Sequence, residues 1–420
     1  MPRRAGGFER LSCPGSREQS HFRHTPIQEE KYPMANELST GSRLPSLTSL
    51  RFFLALVVVW YHVSFVSGLF DGALQQGLGA ASPFAAGAVS GFFVLSGFVL
   101  TWAHRPSDRF GAFWRRRFWK LFPNHLLAWT AVLVFFAVTT AEVPMTSPPG
   151  DSAGAAIANL LLVQVWIPYA SIFSGFNTPA WSIAVELFFY ALFPALLMAA
   201  RRIPAHRLRG AWTALALLIV LMPLVATTIP GPKMYDWLPL NERSLWFIYV
   251  FPPVRLLEFM LGIVTARLLQ TGAWPRVNRL VVTAAFLLFL AVLPALPPQY
   301  AMGSAIAPAL AAVIAKTALA DLEGRTRLLP RPSLIALGEA SYALYITHFP
   351  VMMAIRHLIG PDPDLTVGAR FAIVLVVIGL SVALSLLVFR YFERPLMRRW
   401  SGGRNTSRPQ SADSVPASAS

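Results

Sequence analysis

Long uninterrupted apolar runs fill most of the chain between residues 48 and 390. A run of about 18 or more apolar residues is long enough to cross the hydrocarbon core of a bilayer as an α-helix. Ten runs reach this length, and they lie near residues 48–68, 84–103, 121–141, 180–199, 211–229, 251–270, 280–297, 301–320, 334–358 and 371–390. No segment shows the alternating pattern of a membrane β-barrel. The pattern predicts an all-α fold, a polytopic bundle of about ten transmembrane helices.

A shorter apolar segment, residues 153–167, leaves the number of spans open, and the basic residues decide it. If this segment does not span and the N-terminus is inside, nearly all of the 36 Lys and Arg residues lie on the cytoplasmic side. Such an excess is the normal bias of membrane proteins. Counting 153–167 as a span would place the Arg201, Arg202, Arg207 and Arg209 cluster outside. We therefore predict that both termini are cytoplasmic and that 153–167 is interfacial or re-entrant.

The composition agrees with a multi-pass protein of the cell membrane. The chain is 55% hydrophobic and only 13% charged, whereas a soluble domain is about 25% charged. The net charge of +16 is distributed along predicted span ends, so we expect a lipid bilayer and no nucleic acid as partner. The one cysteine, Cys13, cannot form an internal disulfide or a thiolate cage, and we expect no metal site.

Three regions follow from these patterns. Residues 1–43 are polar and lack the apolar core of a signal peptide, so they are predicted to be a disordered cytoplasmic tail, with Met34 as an alternative start. Residues 44–400 form the predicted transmembrane domain. Residues 401–420 are rich in Ser, Pro and Ala and are predicted to be a second disordered cytoplasmic tail.

The first predicted span carries Arg51 and His62, eleven residues apart. In an α-helix this spacing places both on one face, about 16 Å apart along the axis. Arg51 lies at the inner boundary, where it could simply mark orientation. His62 lies deep, where a neutral imidazole can take a proton from a hydroxyl. The alternative for His62 is a core histidine bonded to a backbone carbonyl.

The other ionisable groups inside spans include Glu186, Arg255 and Glu258. Such groups are costly in a bilayer and therefore informative. Arg255 and Glu258 are spaced i, i+3 and can pair with each other, so we interpret them as structural. Glu186 has no basic neighbour in its own segment. Its partner must come from another helix, and we expect that partner to be His62.

Two further groups of polar residues have two interpretations each, and a third group lies on one predicted helix. Ser96, in GFFVLSGF, lies among small residues that usually mark close helix packing, although it could act as a nucleophile. Arg117 and Lys120 belong to a basic loop that either binds lipid headgroups or forms a phosphate site.

The third group is a stripe of one predicted helix. Ser341, Tyr345 and His348 fall at i, i+4 and i+7, so they share one face. A polar stripe of this kind either lines a cavity or holds helices together. We take Ser96, Tyr345 and His348 as candidate substrate contacts.

Seven motifs occur in a fixed order along the chain. They are the Arg51–His62 spacing, GFFVLSGF, RRRFWKLFP, WSIAVELFFYALFP, RLLEFMLG, SYALYITHFP and FRYFERPLMRR. Together they resemble the acyltransferase 3 family of polytopic membrane acyltransferases, and the resemblance covers residues 44–400. It implies transfer of an acyl group, commonly acetyl from acyl-CoA, to a hydroxyl of a carbohydrate or an antibiotic-like natural product. No permanently bound cofactor is implied.

The resemblance also implies roles for individual residues. His62 matches the essential histidine of the family, Arg51 its paired arginine and Glu186 the glutamate of the WSxxxE motif. Arg117 matches the first arginine of the basic loop, whereas Lys120 replaces the second and lacks its planar fork.

These roles suggest a direct transfer. The donor phosphates would dock on Arg51, Arg117 and Lys120, while His62, held by Glu186, would deprotonate the acceptor hydroxyl. Two alternatives stay open. One is a covalent intermediate on Ser96 or His62. The other is a proton-coupled secondary transporter in which His62 and Glu186 form the proton relay.

Overall fold

The computed structural model describes residues 43–105, 108–139, 153–235, 238–360 and 364–400. Within these ranges the chain is almost entirely helical, as expected, with one antiparallel pair of short strands, β1 (Lys233–Tyr235) and β2 (Leu238–Asn241). The helices, numbered in chain order, are α1 (Pro45–Tyr61), α2 (Gly72–Gly79), α3 (Ser82–Ala103), α4 (Phe110–Val138), α5 (Ala153–Leu160), α6 (Ala170–Phe173), α7 (Ala180–Arg202), α8 (Ala205–Ala226), α9 (Glu242–Leu245), α10 (Pro252–Gln270), α11 (Arg279–Val292), α12 (Pro298–Ala301), α13 (Ala307–Leu322), α14 (Pro332–Glu339), α15 (Ser341–Ile359), α16 (Val367–Val388) and α17 (Arg394–Trp400). The tails predicted to be disordered fall outside the described residues, apart from Arg43.

Seven helical segments are long and apolar enough to cross a membrane, and each coincides with a predicted span. They are Pro45–Val66, Gly72–Ala103, Phe110–Val138, Ala180–Arg202, Ala205–Ala226, Glu242–Gln270 and Val367–Trp400. The other three predicted spans are also helical but shorter or interrupted. They correspond to the 14 residues of α11, the 16 residues of α13 and the broken pair α14 and α15. The total of ten spans and the cytoplasmic placement of the termini therefore remain predictions.

The segment 153–167 does not form one continuous helix. Helix α5 has 8 residues, far fewer than the roughly 20 that a span needs. The chain then turns at Leu162, which adopts a left-handed φ of 58°, and continues as a single 3₁₀ turn, Gln164–Trp166. This geometry agrees with the interpretation that the segment is not a span.

Helices α3 and α10 cross at the centre of the bundle with their backbones in contact. A Cβ atom at Gly97 would lie 2.0 Å from the Phe259 carbonyl oxygen, and one at Gly262 would lie 2.0 Å from the Val94 carbonyl oxygen. Neither position therefore accepts a side chain without moving a helix. The prediction that the small residues of GFFVLSGF mark close packing is confirmed for Gly97.

The predicted Arg255–Glu258 pair lies in this same interface. Its nitrogen and oxygen are 3.0 Å apart, and both side chains are fully buried. Ser90 and Ser304 complete the network, because the Arg255 guanidinium donates to both hydroxyls and Ser90 donates to Glu258. Such a buried, hydrogen-bonded pair fixes the register of α3 against α10.

Candidate active site

Two adjoining cavities lie between α1, α3, α7 and α15. The larger has a volume of about 310 Å³ and the smaller about 130 Å³. Arg51, Ser96, Arg117, Lys120 and Glu186 line the larger cavity. His62 lines the smaller one. Val89 and Tyr345 line both, so the two cavities meet at these two side chains.

Helix α1 presents Arg51 to the larger cavity and His62 to the smaller one. At His62 the helix widens into a five-residue π-helical turn, His62–Val66. Turns of this kind in α-helices occur frequently at functional sites. The first helix thus connects the two cavities, with a cation at one and an imidazole at the other.

His62 is paired with His348 on α15. The Nδ1 of His62 and the Nε2 of His348 are 2.8 Å apart, and the Nδ1 of His348 is 3.2 Å from the Leu344 carbonyl oxygen. Because a carbonyl only accepts, the neutral His348 carries its proton on Nδ1 and accepts through Nε2. His62 must then donate from Nδ1, and the lone pair on its Nε2 has no partner among the described residues.

The expected contact between Glu186 and His62 is wrong. The Glu186 carboxylate accepts a hydrogen bond of 2.9 Å from the Ser96 hydroxyl and a short one from the Tyr190 hydroxyl. Tyr190 lies four residues further along α7, directly above Glu186, while Ser96 faces it from α3. His62 instead packs against α15, and His348 satisfies it.

Arg51 and Arg117 bring two guanidinium groups to the larger cavity without hydrogen-bonded partners among the described residues. Arg117 lies over the rings of Phe113 and Tyr190, at 5.6 and 5.7 Å from their centroids, and its buried Nε has no acceptor. A cavity that holds unpaired guanidinium groups favours an anionic ligand.

Lys120 differs from the two arginines. Its ammonium group is 2.7 Å from a carboxylate oxygen of Glu393, which is almost fully buried. Asn124 donates to the other oxygen of the same carboxylate. Arg51, Arg117 and Lys120, the predicted phosphate-binding residues, thus line one cavity, but the charge of Lys120 is already compensated by Glu393.

Further arginines surround the end of the bundle at which α4 begins and α7 ends. Arg116 lies 3.6 Å from Asp108. Burial lowers the pKa of His104, and the positive charges of Arg201 and Arg116 lower it further, while Asp108 opposes them. The lowered pKa of His104 favours its neutral form, and the positive field at this end comes mainly from arginine.

Tyr345 stands where the two cavities meet. Its hydroxyl is 2.8 Å from the Ser182 hydroxyl, which donates to it, and its ring packs edge-on against Phe92 at 5.8 Å. Ser341, the first residue of the predicted stripe, also lines the larger cavity. The stripe thus faces the cavities, and its last member, His348, holds His62.

The sequence reasoning did not select Ser182, Tyr190 or Glu393. For two of them a signal was present, because Ser182, Glu186 and Tyr190 are spaced i, i+4 and i+8 and so form one stripe of α7. Glu393 is an isolated acid among the basic residues of FRYFERPLMRR. Its contact with Lys120 joins residues 273 apart in sequence, which local spacing cannot reveal.

Comparison with known proteins identifies the family of the chain. The acyltransferase 3 family model, described as an acyltransferase domain, matches residues 44–390. The chain is similar to acyltransferase MdmB of Streptomyces mycarofaciens, with 36% identity over 85% of this chain and 92% of that protein. It is also similar to nodulation protein 10 of Rhizobium leguminosarum bv. viciae, with 26% identity over 87% of this chain and 96% of that protein.

A putative peptidoglycan O-acetyltransferase, YrhL of Bacillus subtilis, is 26% identical over 87% of this chain, which spans only 56% of that longer protein. No solved structure matches the chain. Because the family match covers most of the chain, an enzyme is favoured over the transporter considered from the sequence. The chain belongs to the acyltransferase 3 family and is a multi-pass membrane enzyme that transfers acyl groups.

Proposed function

We propose that this enzyme moves an acyl group, acetyl above all, from acyl-CoA to a hydroxyl of a carbohydrate or natural-product acceptor at the cell membrane. The observation that carries the proposal is the His62–His348 pair. It places an imidazole with an unshared Nε2 lone pair at a cavity that adjoins the cation-lined one.

The larger cavity is the proposed donor site. Coenzyme A carries phosphate groups, and planar guanidinium groups bind phosphate through paired hydrogen bonds. Arg51 and Arg117 would bind these phosphates, and Lys120 would contribute less because Glu393 holds it. Arg51 and His62 are about 16 Å apart along α1, a span comparable with an extended pantetheine arm. The thioester would then lie beside Tyr345, where the cavities meet.

The smaller cavity is the proposed site of the acceptor hydroxyl. His62 would take the hydroxyl proton on Nε2 while the hydroxyl oxygen attacks the thioester carbonyl. The resulting imidazolium would keep its Nδ1–H bonded to the neutral His348. When the carbon–sulfur bond breaks, His62 would return the proton to the departing thiolate. An ester and free coenzyme A thiol are the products.

Direct transfer fits this arrangement better than an acyl-Ser96 intermediate. The Ser96 hydroxyl donates to Glu186 and lines the larger cavity, while His62 lines the smaller one. Ser96 therefore has no histidine base beside it. In this proposal Ser96 and Glu186 shape the donor site, and Tyr345 offers its hydroxyl to the carbonyl oxygen as negative charge develops there.

The acceptor class rests on the relatives and on the resemblance. One relative bears the name of a putative peptidoglycan O-acetyltransferase, and peptidoglycan is a polymer that contains carbohydrate. The 36% identical relative is named only as an acyltransferase. Carbohydrates and glycosylated natural products both carry alcohol hydroxyls, which His62 would deprotonate in the same way. The proposal therefore includes both classes of acceptor.

Free-thiol release by the purified full chain tests the proposal. Acetyl-CoA is supplied with a panel of saccharide and natural-product alcohols, and mass spectrometry follows the acylated product. We expect acceptor-dependent thiol release that His62→Ala reduces about 10²–10⁴-fold. His357→Ala, an exposed histidine further along α15, should leave it unchanged. Turnover that survives His62→Ala would contradict the assignment of the base.

A further inference from the structure

A third cavity lies away from both cavities of the proposed active site and shares no lining residue with them. It has a volume of about 550 Å³ and lies between α8, α10, α11 and α13. Its wall is mainly apolar and includes Leu268, Val281, Phe286, Phe289, Ala309 and Ala312. Nothing in the proposed reaction uses this cavity.

Helix α11 forms the outer wall of the cavity and lies at the perimeter of the bundle. None of its residues is buried, and Leu280 and Leu288 are 70% and 67% exposed. In a membrane these side chains contact lipid. Its 14 residues extend about 21 Å, less than the roughly 30 Å of a bilayer core. Even with the 3₁₀ turn that follows it, Leu293–Ala295, the helical segment is shorter than the roughly 20 residues of a full span.

One end of the cavity is polar. Near the start of α8, the Nε of Arg209 donates to the Ala273 carbonyl oxygen at 2.8 Å, which fixes the side chain. Its two terminal nitrogens make no hydrogen bond or ion pair within the described part of the chain. The buried indole Nε1 of Trp274 also lacks an acceptor, and its ring packs edge-on against Trp212 at 6.2 Å. A cation and a neighbouring unpaired donor suit an anionic oxygen.

We propose that this cavity binds one phospholipid. The acyl chain would lie against the apolar wall between α8 and α11, and the headgroup phosphate would accept hydrogen bonds from Arg209 and Trp274. Basic pockets between transmembrane helices bind phosphate headgroups in this manner, and tryptophan is enriched at the level of the headgroups. A small soluble anion would leave the apolar wall unused, and a hydrocarbon alone would leave Arg209 and Trp274 without an acceptor.

Native mass spectrometry of the full chain in detergent tests this proposal with two added lipids that share the same acyl chains. We expect one molecule of phosphatidylglycerol to bind to each chain. Its affinity should be about tenfold or more higher than that of diacylglycerol, which has no phosphate. Arg209→Ala should remove this preference without changing the binding of diacylglycerol. Arg207→Ala, an exposed residue in the same turn of α8 that does not line the cavity, should keep it.

Trp274→Phe provides a second variant if Arg209→Ala does not fold, because it removes only the N–H group. It should weaken phosphatidylglycerol binding and leave diacylglycerol binding unchanged. Equal binding of the two lipids by the unmodified chain would overturn the proposal. So would an equal loss in Arg207→Ala and Arg209→Ala, since that would indicate a general effect of surface charge.

Discussion

Glu186 brings a negative charge into a cavity that otherwise suits an anion. Its carboxylate is held by Ser96 and Tyr190, and the guanidinium groups of Arg51 and Arg117 line the same cavity. The carboxylate partly compensates these two cations. An anionic donor would supply the remaining compensation. Charge balance, rather than orientation of His62, is the role that the position of Glu186 supports.

The phosphate contact of Arg51 leads to a kinetic prediction. Arg51→Ala should raise the apparent KM of the donor about ten- to two-hundred-fold, because one charge-assisted contact is worth about 1.5–3 kcal/mol. Arg51→Lys should recover part of this loss, since lysine keeps the positive charge but lacks the planar guanidinium group that binds phosphate through two hydrogen bonds. Arg115→Ala, an exposed arginine of the same basic segment, serves as the control in steady-state assays. An effect of Arg51→Ala on the acceptor KM alone would refute the donor role.

The Lys120–Glu393 pair leads to a prediction about stability. Lys120→Met should lower the melting temperature, because it leaves the buried Glu393 carboxylate without its cation. Losing one partner of a buried pair costs about 3–5 kcal/mol of stability. Because Lys120 is 23% exposed, we expect a loss at or below the lower end of this range. Adding Glu393→Gln should restore part of the loss, as followed by thermal unfolding in detergent. If the double variant is less stable than Lys120→Met, the explanation is incorrect.

At the scale of elements, the crossing of α3 and α10 sets the position of the site. Helix α3 carries Val89 and Ser96 to the two cavities, and the direct backbone contacts at Gly97 and Gly262 fix its height against α10. The Arg255–Glu258 network fixes the register of the same interface. A shift of α3 along this contact would move Val89 away from Tyr345, and the junction of the cavities would change.

Substitution of Gly97 tests this contact. Gly97→Ala should lower thermal stability by about 1–3 kcal/mol or more, because the added methyl group would overlap the Phe259 carbonyl and overpack the interface. Gly379→Ala on α16 is the matched control, since no atom in the described part of the chain lies within 4 Å of its added Cβ. That variant should be neutral or slightly stabilising. Equal melting temperatures for the two variants would show that α3 and α10 do not approach this closely.

At the scale of the whole molecule, the arrangement of the arginines predicts the orientation in the membrane. In a Cys13→Ser background, Gln76→Cys should react with an impermeant maleimide added outside the cell. Ala205→Cys should react only after permeabilisation. Both positions are exposed, so accessibility within the protein does not limit either reaction. Labelling of Ala205→Cys from outside would reverse the predicted orientation, because the arginine cluster around it determined that prediction.

The sequence predicts the helical class, the seven spans that coincide with long apolar helical segments and the buried Arg255–Glu258 pair, because each depends on local patterns. Run length identifies spans, and i, i+3 spacing identifies the pair. The partners of His62 and Lys120 could not be obtained in this way. His348 and Glu393 lie 286 and 273 residues away, and only the packing of α1 on α15 and of α4 on the C-terminal helices brings them into contact.

The most direct test of the central claim is a double-mutant cycle on turnover. If His348 acts only by fixing the tautomer of His62, His348→Ala should reduce kcat about ten- to hundredfold in the unmodified chain. In the His62→Ala background it should have almost no further effect, so the double variant should match His62→Ala alone. Additive losses, with His348→Ala lowering kcat by the same factor in both backgrounds, would contradict the account.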